Sequence, residues 1–224
     1  MSAKRGSKGL RVVASSPAIS RAFPLLLGGV GAAGIASLMY EVIWVRQLAL
    51  SLGSTAIAGA TMLSAFLAGL ALGSWLAARR VDEQASPLRS LARLEVAAAV
   101  IGALSVPMLE YAGRAYVVTA GLLGAGPDLA LVLRAVFSLV VMLLPATLFG
   151  VAFPLASAAA VRIAGPERAA SGVSAASSFG SAIGAALGGL LLEPMLGITG
   201  AAMVAVVFNV LAAAAAWFAA ARAG

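Results

Sequence analysis

The first candidates for chemistry are ionisable residues near the end of a long apolar run. The stretch Tyr40-Glu41-Val42-Ile43-Trp44-Val45-Arg46 holds a phenol, an acid and a base. A charged residue at membrane depth costs roughly 2.5–3.5 kcal/mol or more, so it is retained for a function or for pairing. We therefore take Tyr40, Glu41 and Arg46 as candidates for a solute or proton site, or for a clamp between helices.

A partner for Glu41 is not obvious from the spacing. Arg46 follows Glu41 by five positions, which places the two side chains on different faces of a helix and disfavours a direct pair. Arg134, near the end of a later apolar run, is the alternative partner. The structural clamp and the functional site both stay open.

Other polar residues lie within or beside apolar runs. Arg93, Glu95 and Glu193 lie close to the ends of such runs and are predicted to be interfacial anchors, with a ligand role as the alternative. Asn209 lies in the middle of the last run, where an amide is predicted to donate a hydrogen bond to a neighbouring helix.

The residue types exclude several kinds of chemistry. Cys and His are both absent, which removes disulfides, thiolate chemistry and the usual zinc sites. The glycines of Gly29-Val30-Gly31-Ala32-Ala33-Gly34 fit a dinucleotide fingerprint, but the motif opens an unbroken apolar run and no acid follows about 20 residues later. We predict no catalytic residue, no metal and no cofactor.

The composition is that of a membrane protein. Hydrophobic residues make up 62% of the 224 residues and charged residues 10%, against roughly 45–50% and 25% in soluble domains. We predict an all-α polytopic protein, with a basic, disordered arm at residues 1–23 and a six-helix transmembrane domain at 24–222. The predicted spans are 24–50, 54–78, 91–109, a long span from 129 that contains Pro145 and Pro154, 172–192 and 198–220. Residues 110–128 are predicted to form an interfacial helix or hairpin.

The basic residues set the expected orientation. They lie between apolar runs, so the net charge of +7 indicates topology and not a nucleic-acid partner. With the N-terminus in the cytoplasm, twelve Lys and Arg residues face the cytoplasm and three face outside. Arg outnumbers Lys by 13 to 2, which is typical of GC-rich bacteria. We expect a bacterial inner-membrane protein with both termini in the cytoplasm.

Small residues recur at helical spacing in two spans. Gly180, Gly184 and Gly188 follow one another every four residues, and Gly69 and Gly73 are spaced in the same way. Such faces let helix backbones approach closely. We predict packing within the chain, with a dimer or partner interface as the alternative.

Four stretches carry a family resemblance. GIASLMYEVIWVRQL at 34–48 and AFLAGLALGS at 65–74 resemble the membrane portion of bacterial spermidine synthase-like proteins. LPATLFGVAFPL at 144–155 and SSFGSAIGA at 177–185 resemble the fourth and fifth helices of that portion. The resemblance implies a bundle similar to half of a major-facilitator transporter. Such fold analogy does not fix a function.

The resemblance also implies partners. Many such proteins continue into an aminopropyltransferase-like domain, which is absent from this sequence, so we expect no enzyme activity in the chain. We expect it to lie in the lipid bilayer and to anchor, or cooperate with, a separate chain. The alternatives are an amine or other small-solute transporter acting as a homodimer of two six-helix halves, and an accessory subunit of a larger membrane complex.

Overall fold

The computed structural model describes residues 17–52, 56–81 and 83–223, and within these ranges it contains helices and no strand. A helix satisfies its own backbone hydrogen bonds, which is what an apolar chain needs in lipid. The elements are α1 (Pro17–Leu52), α2 (Ala56–Ala78), α3 (Pro87–Leu122), α4 (Pro127–Ala164), α5 (Pro166–Ala186), a π-helical segment (Leu187–Leu192) and α6 (Glu193–Ala223).

Five helices of the described chain are long and apolar enough to cross a membrane. The fifth is the 58-residue run Pro166–Ala223, which joins α5, the π-helical segment and α6. The predicted all-α membrane fold is therefore confirmed.

The 58-residue run is not one straight helix. Gly197 has φ 71° and ψ 177°, which is not helical. Before this break α5 runs parallel to α1, because Gly172 faces Phe23 and Gly188 faces Met39. After the break α6 runs antiparallel to α1, because Ala201 lies in the buried cluster with Trp44 whereas Ala215 packs over Gly29.

Helix α1 lies at the centre of the bundle. It packs against α5 and α6, and it also contacts α3 and α4. Helix α2 packs mainly against α4, while α3 packs against α4 and α6. Two clusters of buried apolar side chains fill the bundle, one around Trp44 and one around Leu26.

Helix α3 extends farther than the sequence indicated. The predicted span ended at residue 109, but the helix continues through Pro107 to Leu122. Residues 110–122 therefore belong to α3 and do not form the separate interfacial helix or hairpin expected for 110–128. The extension is held by α4. Tyr116 is buried against Phe137, with ring centroids 6.1 Å apart, and its hydroxyl accepts a hydrogen bond of 3.1 Å from Arg134 Nε.

The start of α1 also differs from expectation. The helix begins at Pro17, so residues 17–23, which the sequence assigned to the basic arm, belong to α1. Residues 1–16 of that arm lie outside the described residues. The prediction that prolines do not end the fourth span is confirmed, because α4 is continuous across Pro145 and Pro154.

Candidate functional site

A cavity lies inside the bundle between α1, α3, α4, α5 and α6. Its volume is about 90 Å³, measured as the space open to the centres of water molecules. A single water needs roughly 10–15 Å³ by this measure, so the cavity has room for several waters or a small solute. Its walls are mostly Ala, Gly, Leu and Phe, and four polar residues line it: Ser37, Glu95, Ser177 and Ser181. We call it the Glu95 cavity.

Glu95 is the acid of this cavity. It lies on α3, is only 2% exposed, and accepts a hydrogen bond of 2.7 Å at Oε2 from Asn209 Nδ2 on α6. Asn209 is itself fully buried. The prediction that Asn209 donates between helices is confirmed, whereas the prediction that Glu95 is an interfacial anchor is wrong.

The burial of Glu95 follows from its position on α3. Leu88, Leu91, Glu95, Ala98 and Gly102 follow one another at intervals of three or four residues, and all are buried. This spacing defines one face of a helix. This buried face of α3 can be recognised in the sequence, and it would have placed Glu95 inside the bundle.

Aromatic side chains close the Glu95 cavity on one side. Phe149 lines the cavity and contacts Tyr40 and Trp44, with ring centroids 5.7 Å and 5.9 Å away. Tyr40 stacks on Trp44 at 5.3 Å, and Phe66 packs edge-on to Trp44. These four residues form what we call the aromatic layer, and it separates the cavity from the Arg46 end of α1.

Tyr40 is the member of the predicted α1 group that packs on Phe149, a residue that lines the Glu95 cavity. It is fully buried and packs directly over Gly102 of α3, where a Cβ would overlap the phenol. Its hydroxyl and the Trp44 indole N–H are buried without a hydrogen-bond partner in the described part of the chain.

Glu41, Arg46 and Arg134 are not brought together. Arg46 forms an ion pair with Glu193, and Arg134 donates to Tyr116. Among the described residues Glu41 pairs with neither arginine, so the Glu41–Arg134 partnership considered from the sequence does not form. Glu41 instead lines a small apolar cavity between α1, α2 and α4.

The ion pair of Arg46 with Glu193 has very unequal burial. The Glu193 side chain is 4% exposed and that of Arg46 is 61% exposed. Glu193 is thus a buried partner of α1, whereas the sequence had indicated an interfacial anchor. The π-helical segment precedes it, and the Glu193 N–H donates to the carbonyl of Gly188 five residues earlier.

The five packing glycines all lie where helices of the chain cross. A Cβ on Gly180 or Gly184 would overlap backbone carbonyls of α1, and one on Gly188 would lie 3.2 Å from the Met39 Cα. A Cβ on Gly69 or Gly73 would overlap α4. The glycines of the fingerprint-like motif also lie in α1, where they face α5 and α6.

These features define an all-helical membrane protein with a buried acid beside an internal cavity. No protein-family model, curated protein or solved structure matches the chain. The likeness to the membrane portion of spermidine synthase-like proteins therefore stays a prediction.

Proposed function

We propose that this chain is a solute-binding transport unit of the membrane that binds a small protonated amine at Glu95. The observation that carries the proposal is a buried carboxylate lining a cavity. A buried charge is costly unless it is paired, and Asn209, its hydrogen-bond partner in the described chain, is neutral. A protonated amine supplies the missing positive charge and the N–H donors. The sequence resembles the membrane portion of spermidine synthase-like proteins, and this resemblance supports an amine as the solute.

The one-sided closure of the cavity supports a transport role. The α1 residues that line it run from Leu26 to Ser37, and the aromatic layer follows directly at Tyr40. In the orientation expected from the basic residues, the cavity then belongs to the cytoplasmic half of the bundle. A transporter that is closed toward the outside would have its solute cavity on the cytoplasmic side of such a layer.

We further propose six membrane crossings in a half-transporter arrangement. The run Pro166–Ala223 has 58 residues, or roughly 87 Å of helix, almost three times a ~30 Å hydrocarbon core. The break at Gly197 and the opposite directions of α5 and α6 support two crossings within it. A second copy of the chain would then supply the other half.

The location of the basic loops supports the proposed orientation in a bacterial inner membrane. Arg162, at the end of α4, donates from Nη1 to the Ala85 carbonyl at 3.4 Å, so the loop before α3 and the end of α4 share one end of the bundle. The basic residues of both segments therefore lie together, as the positive-inside rule requires of a cytoplasmic face. The anchoring of a separate chain and the accessory-subunit role stay predictions from the sequence.

The experiment is equilibrium binding of n-butylamine to the purified chain in lipid nanodiscs by calorimetry, with n-butanol as the uncharged analogue. We expect saturable binding of the amine only, and at least tenfold weaker binding by Glu95→Gln, which keeps the hydrogen bond from Asn209 but removes the charge. Glu110→Gln is the matched control, because Glu110 is an exposed acid on the same helix. Equal affinity of Glu95→Gln and the native chain would rule the proposal out.

A further inference from the structure

The Glu95 cavity has a second polar wall made of serine hydroxyls. Ser37 of α1 and Ser177 and Ser181 of α5 line it, and their hydroxyls have no hydrogen-bond partner among the described residues. Several other hydroxyls in the bundle donate to backbone carbonyls, that of Ser74 to Gly150 on a neighbouring helix. Ser105 and Thr147 each donate to a carbonyl of their own helix at 2.6 Å. Unoccupied hydroxyls of this kind are free to bind a solute.

The three serines gather at the crossing of α1 and α5. A Cβ on Gly34 would lie 2.7 Å from the carbonyl oxygen of Ser177 and 3.1 Å from the backbone nitrogen of Ser181, and Ser37 follows Gly34 by one turn. Glu95 comes from α3, which packs against α1, α4 and α6, whereas Ser177 and Ser181 come from α5. The acid and the two α5 hydroxyls therefore belong to different walls of the same cavity.

The serine wall is neutral. Glu95 is the single charged residue among those described that line the cavity. A second ammonium group placed at the serines would lose its hydration without gaining a counter-charge, which is unfavourable. A hydroxyl group fits there, since serine hydroxyls both donate and accept.

We propose that the Glu95 cavity selects a short amino alcohol, with its ammonium group at Glu95 and its hydroxyl at Ser37, Ser177 and Ser181. This rests on the proposed binding of an amine at Glu95 and adds the identity of the other end of the solute. The cavity distinguishes its solute from a simple monoamine by the added hydrogen bonds. It distinguishes the solute from a diamine by the absence of a second acid.

The experiment compares n-butylamine, 4-amino-1-butanol and 1,4-diaminobutane as ligands of the full chain in nanodiscs by calorimetry. We expect 4-amino-1-butanol to bind about fivefold more tightly than n-butylamine, as one neutral hydrogen bond provides. We expect 1,4-diaminobutane to bind no more tightly than n-butylamine. The combined variant Ser37→Ala, Ser177→Ala, Ser181→Ala should lose the preference, so that its affinities for 4-amino-1-butanol and n-butylamine become equal.

Ser174→Ala is the matched control, because Ser174 is exposed on α5 and should leave all three affinities unchanged. If the triple variant does not fold, the single Ser→Ala variants serve for the same comparison. Equal binding of the amino alcohol and the monoamine, or tightest binding of the diamine, would overturn the amino-alcohol proposal and leave amine binding intact. Absence of saturable binding by all three ligands would overturn both proposals.

Discussion

The hydroxyl of Ser74 on α2 donates a hydrogen bond of 2.9 Å to the carbonyl oxygen of Gly150 on α4. Pro154, four residues after Gly150, has no N–H, so the usual α-helical donor to that carbonyl is missing. A side chain of the neighbouring helix supplies it instead, as membrane helices require where proline interrupts the backbone ladder. This contact explains how α4 continues past Pro154 to Ala164.

We expect Ser74→Ala to lower the free energy of unfolding by on the order of 1–2 kcal/mol, because the Gly150 carbonyl is buried and would lose its donor. Thermal unfolding in detergent would measure this. Ser64→Ala is the control, since Ser64 is exposed on the same helix. Equal melting of the two variants would contradict the role given to Ser74.

We expect Gly184→Leu to destabilise the chain by about 1–3 kcal/mol, because the new side chain would collide with the α1 backbone at Ile35. Gly28→Leu is the control, because a Cβ at Gly28 meets no atom within 4 Å. Melting in detergent and the oligomeric state would both be measured. A Gly184→Leu variant that melts normally but loses a partner chain would assign the glycine face to an interface between chains.

Removing Arg46 and removing Glu193 from their ion pair should lower the free energy of unfolding by different amounts. Arg46→Gln leaves a buried carboxylate without a partner and should cost on the order of 3 kcal/mol. Glu193→Gln leaves a guanidinium that is already exposed and should cost below about 1 kcal/mol. Unfolding of both variants in detergent gives the comparison, and equal losses would contradict it.

Glu41→Gln provides a further test of the same region. Glu41 is partly exposed and has no ion-pair partner among the described residues, so we expect a change within about 0.5 kcal/mol. If Glu41→Gln lowered the free energy of unfolding as much as Arg46→Gln, Glu41 would be a structural clamp.

The expected orientation is tested by cysteine labelling, since the native chain has no Cys. Cys at Ala85, in the loop before α3, should not react with an impermeant thiol reagent added to intact cells. Cys at Asp128, at the opposite end of the bundle, should react. Labelling of the Ala85 variant from outside would reverse the proposed topology.

Composition was enough to predict the all-α membrane fold and the continuous passage of α4 through its prolines. The fold follows because each helix satisfies its own backbone in lipid, and the passage of α4 follows because neighbouring helices can supply donors to carbonyls that proline leaves free. The end of α3 was missed because it depends on a contact between helices, that of Tyr116 with Arg134 and Phe137. The length of an apolar run in the sequence does not reveal such a contact between helices.

The candidate site was predicted less well than the fold. Glu41 was a candidate because it lies in a run that holds a phenol, an acid and a base, but its side chain lines a small apolar cavity. Glu95 lies nearer the start of its helix and was assigned to the interface by position alone. Its partner Asn209 is 114 residues away in the sequence, so no local pattern joins them.

The π-helical segment Leu187–Leu192 sets the helix face on which Glu193 lies. Gly180, Gly184 and Gly188 face α1 at intervals of four residues, and Glu193 continues the same face after an interval of five. A π turn accommodates one residue more than an α turn, so the segment has the form of a single-residue insertion absorbed within a helix. Removing that residue would rotate Glu193 by about 100° away from Arg46. The extra residue keeps the acid in register with its arginine.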